Sequence, residues 1–147
     1  MSYIRIQLVE DDTTSVELIK EALNEAQVPH NLTVHSDGEE ALHELKRNPI
    51  KPHIILLDLN LPKKSGLDVL KAIKKDKNLK PIPVIILTNS KSQDDVVRAY
   101  SNYCNAYIRK PFGFDKLVEA IKATRAFWFE TATLPEDPQR TSKPPSQ

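Results

Sequence analysis

The feature that most constrains this chain is a fivefold alternation of short apolar segments with amphipathic helical patterns. Two of the apolar segments, IILL at Ile54–Leu57 and VIIL at Val84–Leu87, contain no polar residue. Continuous apolar runs of this length are typical of strands covered on both faces, as in parallel sheets. Strands that alternate with helices predict a parallel sheet between two helical layers. We therefore predict an α/β fold, a doubly wound (βα)5 domain with a five-stranded parallel sheet.

Hydrophobic periodicity places the individual elements. The strands are predicted at Ile4–Val9, Leu32–His35, Ile54–Leu57, Val84–Leu87 and Ala106–Ile108. The helices are predicted from Thr13 to Ala26, from Glu39 to Arg47, after Gly66, after the capping residue Ser92, and from Gly113 to about Trp128. The inner face of the fourth helix is predicted to carry Val96, Ala99, Tyr100 and Tyr103. Residues 1–130 form the predicted domain, and the proline-rich segment 131–147 is expected to dock in part and then be flexible.

Composition removes several classes of function. The formal net charge is +1, which gives no reason to expect nucleic acid or an anionic membrane as a partner. The sequence has no apolar run long enough to span a bilayer and no secretory leader, and its single cysteine suits a reducing compartment such as the cytoplasm. The three glycines lie far apart, so neither a dinucleotide-binding loop nor a P-loop can be written.

Polar residues stand at the predicted carboxyl ends of four strands. Glu10 and Asp11 follow the first strand, Asp58 the third, Thr88 the fourth and Lys110 the fifth. In a doubly wound sheet these strand ends meet at one edge, where ligands bind. Taken singly, the acids could serve as helix-start residues and the lysine could be solvated. Their placement at four strand ends of one sheet favours a shared site.

These residue types suit phosphoryl chemistry that needs no glycine loop. Clustered carboxylates repel each other, and a hard cation such as Mg²⁺ relieves the repulsion. A carboxylate beside Mg²⁺ can attack phosphorus to give an acyl phosphate. The Lys110 ammonium and the Thr88 hydroxyl would stabilise the negative oxygens of the transferring group. We therefore predict an aspartate that is phosphorylated, with Mg²⁺ as cofactor.

The sequence resembles the receiver domain of two-component response regulators, a family with a flavodoxin-like fold. The matching segments are LVEDD, LLDLNLPKKSG, VIILTNS and KPF, and the resemblance covers Ile4 to about Trp128. It implies that Asp58 is the phospho-acceptor and that Asp11 and the Asn60 backbone carbonyl ligate the metal directly, with Glu10 acting through water. It also implies phosphoryl-binding or switch roles for Thr88, Lys110 and Tyr107, and a cis peptide bond before Pro111.

Two positions bear on the lifetime of the acyl phosphate. Asn60 and Ser90 occupy the positions that resemble those tuning autodephosphorylation, and neither is acidic. We therefore expect a long-lived phosphoryl group. The first acid is Glu10 where many members have aspartate, which adds a methylene group.

The segment FWFETATLP after the last helix resembles stand-alone response regulators that partner phytochromes. That resemblance implies a histidine kinase, of the phytochrome type, as phosphoryl donor. Three consecutive aromatic residues cannot all face one core, so at least one is expected at an interface. We expect a homodimer with an interface that includes Tyr100, Tyr103, Phe127, Trp128, Phe129 and Leu134. The alternative is that the tail folds back over its own domain.

The favoured function is thus a phospho-acceptor signalling protein that switches partners, not an enzyme acting on a separate substrate. One alternative is a phosphorylation-independent adaptor on the same fold, whose signature would be loss of a key residue. The other is a Mg²⁺-dependent phosphohydrolase working through an aspartyl phosphate. Such hydrolases typically carry a second acid two residues after the nucleophile, where this chain has Asn60.

Overall fold

A computed structural model describes residues 3–135 and gives a parallel five-stranded sheet within that range. The strand order is β2-β1-β3-β4-β5. The strands are β1 (Ile4–Val9), β2 (His30–His35), β3 (Ile54–Leu57), β4 (Val84–Thr88) and β5 (Ala106–Arg109). The predicted α/β (βα)5 fold is confirmed. The order reverses between β1 and β3, and sheets of this type place their ligand crevice at such a reversal.

The helices follow the strands as predicted, with small changes at their ends. They are α1 (Thr13–Glu25), α2 (Gly38–Arg47), α3 (Gly66–Lys75), α4 (Gln93–Ser101) and α5 (Phe114–Thr124). Side chains cap four of them: Asp12, Asp37, Ser65 and Ser92 each accept a backbone N–H of the first helical turn. Asp12 is thus a helix-start residue, as expected. No helix in the part of the chain that the structure describes is long and apolar enough to cross a membrane.

The core lies in two layers, one on each side of the sheet. Alternate residues of β1 separate them: Val9 belongs to the layer under α2 and α3, whereas Ile6 and Leu8 belong to the layer under α1 and α5. The central strands β3 and β4 contribute to both layers and are buried along their whole length. Their continuous apolar sequences therefore reflect cover on both faces. The packing of both strands fixes the positions of Asp58, which follows β3, and of Thr88, which ends β4.

The last helix differs from its prediction. Regular α-helix ends at Thr124, and Arg125–Thr131 continues as π-helix. The wider turn lets the consecutive residues Trp128 and Phe129 both pack against the core layer of α1 and α5, while Phe127 remains 53% exposed. Arg125 fixes the segment by donating a hydrogen bond to the Ala26 carbonyl at the end of α1 (2.7 Å).

The prediction that Tyr100 and Tyr103 lie on the inner face of α4 is wrong. Ala99 is fully buried, but Tyr100 is 49% exposed and Tyr103 is 73% exposed. Neighbouring positions of an α-helix point about 100° apart, so Tyr100 cannot share the face of Ala99. Tyr103 lies beyond the end of the helix with a left-handed backbone (φ 70°), which turns its ring to solvent.

Candidate functional site

Three acids meet at the point where the strand order reverses. Glu10 and Asp11 follow β1, and Asp58 follows the neighbouring strand β3. One carboxylate oxygen from each lies within 4.8 Å of the others. Glu10 and Asp58 are buried, whereas Asp11 is exposed at the rim. The three side chains therefore lie together, as their positions at the strand ends predicted.

Glu10 is held by protein donors on both carboxylate oxygens. Lys110 Nζ and Ser15 Oγ (3.2 Å) donate to Oε1, and the Asp12 backbone N–H donates to Oε2 (3.2 Å). Burial raises the pKa of Glu10, the Lys110 hydrogen bond opposes that rise, and the nearby charge of Asp58 adds to it. Both carboxylate oxygens of Glu10 are therefore already engaged by donors of the protein.

Ser15 is a site residue that sequence reasoning missed. It lies in the first turn of α1, five residues after Glu10, and its hydroxyl is the side-chain donor just described. A serine near a helix start is commonly a capping residue, so its type alone does not indicate a site role. The only sequence signal is its position one helical turn beyond the acidic pair.

Lys110 joins the site from β5. Its Nζ contacts Glu10 and lies 3.6 Å from Asp58 Oδ2, and its backbone N–H donates to the Thr88 carbonyl at the end of β4 (2.7 Å). The expectation of a cis bond before Pro111 is wrong, because residues 3–135 contain no cis peptide bond. The trans form of a peptide bond before proline is intrinsically favoured by about 0.5–1 kcal/mol. With a trans bond before Pro111, the Lys110 ammonium lies near both Glu10 and Asp58.

The loop after β3 folds closely around Asp58. The Asn60 backbone N–H donates to Asp58 Oδ1 (3.4 Å), and the Gly66 N–H donates to the Leu59 carbonyl (2.9 Å). A Cβ on Gly66 would lie only 2.1 Å from the Asp58 carbonyl oxygen. Glycine is therefore required at position 66 so that α3 can begin directly against the end of β3.

Thr88 and Tyr107 are linked through one loop residue. Thr88 is fully buried at the end of β4, and its Oγ1 accepts the Ser90 backbone N–H (3.4 Å). The Tyr107 hydroxyl donates to the Ser90 carbonyl (3.5 Å) while its ring packs against the core layer under α2 and α3. A movement of the Thr88 hydroxyl would therefore act on the same backbone segment that Tyr107 contacts.

The predicted interface residues do not share one environment. Tyr100, Tyr103 and Phe127 are exposed, and Phe127 meets Trp128 edge to face with ring centroids 5.0 Å apart. Leu134 is only 9% exposed, so its assignment to an exposed interface is wrong. Its burial within its own chain fits the alternative in which the start of the tail folds back. The rest of the tail, residues 136–147, lies outside the described residues.

The donor set is chemically suited to a hard divalent cation. Carboxylate oxygens and a backbone carbonyl are the ligands that Mg²⁺ and Mn²⁺ take, and Mg²⁺ usually keeps several waters beside one or two carboxylates. Asp11 is open to solvent, Asp58 is buried, and one oxygen of each lies within 4.8 Å of the other. The Lys110 ammonium already balances part of the negative charge, so a cation here would share the acids with it.

Comparison with known proteins finds relatives over most of the chain. The model of the response regulator receiver domain family matches residues 6–122. Response regulator Rcp1 of Synechocystis sp. is 40% identical over 135 residues, which cover 88% of this chain and 92% of Rcp1.

Two solved structures extend the likeness to three dimensions. The phosphorylated cyanobacterial phytochrome response regulator RcpA superimposes with a TM-score of 0.86 at 42% identity, covering 92% of this chain and all (100%) of RcpA. The Mn²⁺-bound form of Rcp1 gives a TM-score of 0.82 at 38% identity, covering 90% of this chain and 99% of Rcp1. The chain belongs to the response regulator receiver domain family and is related to phytochrome response regulators.

Proposed function

We propose that Asp58 accepts a phosphoryl group from a histidine kinase in the cytoplasm and that this modification switches the protein's surface. The observation that carries the proposal is a buried carboxylate, Asp58, with an ammonium 3.6 Å from one oxygen and two further acids within 4.8 Å. A cation and an acid cluster around one aspartate form a set that can bind, orient and neutralise a phosphoryl group.

The transfer is a simple displacement at phosphorus. A carboxylate oxygen of Asp58 attacks, the phosphorus–nitrogen bond of the donor phosphohistidine breaks, and the leaving imidazole takes the electron pair and picks up a proton. Lys110 lies beside Asp58 Oδ2, so its ammonium can hydrogen-bond to the oxygens of the incoming phosphoryl group. The buried Thr88 hydroxyl would donate to one of these oxygens after giving up its contact with Ser90.

Mg²⁺ is the proposed cofactor, with Asp11, Asp58 and the Asn60 carbonyl as direct ligands and Glu10 acting through water. When bound, the cation would neutralise the phosphoryl oxygens in the transition state. The Mn²⁺-bound structure of the relative Rcp1 supports a divalent cation in this family. Isothermal titration calorimetry with Mg²⁺ tests the assignment, since Asp11→Asn should abolish binding while Asp12→Asn, at the neighbouring cap, should not.

The proposed donor is a phytochrome-type histidine kinase, because the related protein RcpA is a phytochrome response regulator. The decisive experiment is phosphotransfer from radiolabelled candidate kinases, a phytochrome among them, to this chain and to its Asp58→Asn variant. Label on the natural chain alone supports the proposal. No transfer from any kinase and no Mg²⁺-dependent fluorescence change with beryllofluoride, a phosphoryl mimic, would instead favour the phosphorylation-independent adaptor.

A slow loss of the phosphoryl group is also proposed. Hydrolysis needs a positioned water, and Asn60 offers no acid to activate one. The Ser90 hydroxyl is engaged with Asp95 Oδ2 (2.5 Å), so it is not directed at the site. Asn60→Asp, which restores the acid typical of phosphohydrolases, should shorten the half-life measured after removal of the donor. A half-life of seconds for the natural chain at neutral pH with Mg²⁺ would contradict the proposal.

A homodimer through the face of α4, β5 and α5 is proposed as one output. Phe127, Tyr100 and Tyr103 are exposed on or beside these elements, and exposed aromatic side chains are common interface anchors. Sedimentation velocity with and without beryllofluoride should show a dimer that Phe127→Ala weakens. Tyr3→Ala is the matched control, because Tyr3 is 44% exposed but lies before β1, outside these elements. A monomer under all conditions would exclude this output.

A further inference from the structure

The loop between β4 and α4 is organised by hydrogen bonds to Ser90. The Ser90 backbone N–H donates to Thr88 Oγ1 (3.4 Å), and the Ser90 carbonyl accepts the Tyr107 hydroxyl (3.5 Å). The Ser90 hydroxyl donates to Asp95 Oδ2 (2.5 Å) and accepts the Ser92 backbone N–H (3.3 Å). One residue therefore connects the end of β4, the strand β5 and the first turn of α4.

The Ser90 hydroxyl interrupts a capping box at the start of α4. Ser92 is the N-cap, and its side chain accepts the Asp95 backbone N–H (3.3 Å). In a regular capping box the side chain three residues after the cap accepts the backbone N–H of the cap residue itself. Here the Ser92 N–H donates to Ser90 Oγ, and Ser90 Oγ donates to the Asp95 carboxylate. The hydroxyl thus stands between two groups that a regular capping box joins directly.

The contact between Ser90 Oγ and the Asp95 carboxylate, here called the loop latch, is the strongest of these hydrogen bonds. Its acceptor is ionised, and such bonds are about twice as strong as those between neutral groups. The contacts of Ser90 with Thr88 and Tyr107 are neutral and long, at 3.4 Å and 3.5 Å. The latch is therefore the contact that decides where the loop lies relative to α4.

The start of α4 can be satisfied in two arrangements. With the latch closed, Ser90 Oγ accepts the Ser92 N–H. With the latch open, the Asp95 carboxylate can accept that N–H itself and complete a regular capping box. Neither arrangement leaves the N–H of the cap residue without an acceptor, so the loop can leave α4 at little cost to the helix.

We propose that Asp95 is a positioning residue, which holds the loop after β4 in its unphosphorylated arrangement through the latch. This role rests on the proposed phosphorylation of Asp58. When the Thr88 hydroxyl turns to a phosphoryl oxygen it gives up the Ser90 N–H, and the loop then moves with Thr88. The latch opens, Asp95 takes the Ser92 N–H, and the start of α4 is released from the loop. The phosphoryl state is thereby passed to the helix that borders the proposed dimer face.

A latch that is closed only in the unphosphorylated arrangement opposes binding of a phosphoryl mimic. Its energy favours that arrangement, so a ligand that needs the other arrangement binds more weakly by the corresponding factor. Asp95→Asn keeps the shape of the side chain but replaces an ionised acceptor with a neutral one. With Mg²⁺ present, this variant should bind beryllofluoride about fivefold more tightly than the natural chain, as measured by fluorescence titration. A merely structural role of Asp95 would lower the free energy of unfolding and leave this affinity unchanged.

Asp94→Asn is the matched control. Asp94 lies in the same first turn of α4, but it is exposed and its Oδ2 pairs with Arg98 Nη1 (3.8 Å). The variant removes the same negative charge from the helix start and keeps the latch, so its beryllofluoride affinity should equal that of the natural chain. An equal gain in Asp94→Asn and Asp95→Asn would show that charge alone acts and would overturn the proposal.

Ser90→Ala tests the latch from the other side. It should tighten beryllofluoride binding by a similar factor, and the double variant with Asp95→Asn should gain no more than either single one, because both changes remove the same contact. Additive gains, or equal affinity in the natural chain and the single variants, would overturn the latch and leave the phosphorylation of Asp58 standing. No beryllofluoride binding by the natural chain would contradict the proposed function, and the latch with it. If Asp95→Asn does not fold, Ser90→Ala decides by the same comparison.

Discussion

Lys110 Nζ contacts the Glu10 carboxylate and at the same time lies 3.6 Å from Asp58 Oδ2, so one ammonium bridges two buried acids. The bridge connects the ends of β5, β1 and β3. It offsets the repulsion between the carboxylates, which explains how both can be buried near each other. The Lys110 ammonium lies closer to Glu10 than to Asp58, the proposed phospho-acceptor. The Asp58 carboxylate therefore keeps oxygen lone pairs free for another ligand.

Replacement of Glu10 by glutamine should weaken divalent cation binding about tenfold. The change removes one of the three negative charges of the cluster and leaves Lys110 with Asp58 as its remaining acid, so the ammonium competes more strongly with the metal. Isothermal titration calorimetry with Mg²⁺ measures the effect. Glu17→Gln, an exposed change on α1, is the control. Equal Mg²⁺ affinity in Glu10→Gln and the natural chain would contradict the assigned role.

Gly66→Ala should destabilise the protein by several kcal/mol and disturb the loop after β3 that begins with Asp58. The new Cβ would lie 2.1 Å from the Asp58 carbonyl oxygen and 2.6 Å from Leu59 Cα, so the backbone must shift. Urea denaturation gives the loss in the free energy of unfolding, and Mg²⁺ titration of the folded fraction reports the displacement of Asp58.

Gly113→Ala separates this steric effect from backbone strain. Gly113 has φ +99° but nothing within 4 Å of an added Cβ, so its replacement costs only the strain of a left-handed conformation, about 1–3 kcal/mol. The Mg²⁺ affinity should be unchanged in this variant. A Gly66→Ala protein as stable as the natural chain would show that the loop accommodates the methyl group.

The sequence predicted the fold and the acid cluster because both depend on local signals that the topology then combines. Apolar runs identified β3 and β4, and each ended at a residue of the site, Asp58 or Thr88. Once parallel strands alternate with helices, the right-handed connections bring those ends to one edge. The fold and the position of the acid cluster could therefore be predicted without knowing any individual tertiary contact.

The details that sequence reasoning missed depend on tertiary contacts. Ser15 has no sequence mark that distinguishes a site donor from a capping residue, although it donates to Glu10. The change from α-helix to π-helix at Arg125 accompanies the packing of Trp128 and Phe129 on the core, a contact distant in sequence. Tyr103 was assigned to a helix that ends earlier, because periodicity gives helix ends poorly.

Lys74→Met should lower the free energy of unfolding by about 2 kcal/mol. Lys74 Nζ donates to the carbonyls of Lys80 (3.0 Å) and Ile82 (2.9 Å) and to Asn105 Oδ1 (3.1 Å), so it ties α3 to the segments before β4 and β5. Methionine keeps the apolar stem but removes the Lys74 donor from the Lys80 and Ile82 carbonyls, while Asn105 Oδ1 still accepts the Val84 backbone N–H (2.8 Å). Urea denaturation at pH 7 measures the loss, and Lys75→Met, an exposed neighbour, should change stability little. Equal losses in the two variants would contradict the structural role of Lys74.

Alkaline destabilisation should depend on Cys104. Burial raises the pKa of the Cys104 thiol from 9.0 to about 11. As pH rises through this window the unfolded chain releases the proton first, so the free energy of unfolding falls, by about 1 kcal/mol at pH 10. Cys104→Ala lowers stability at every pH by leaving a small cavity, but it should abolish this part of the pH dependence. Urea denaturation of both proteins at pH 7.5 and pH 10 measures the difference, and an equal fall in the two would show that Cys104 ionises freely in the folded state.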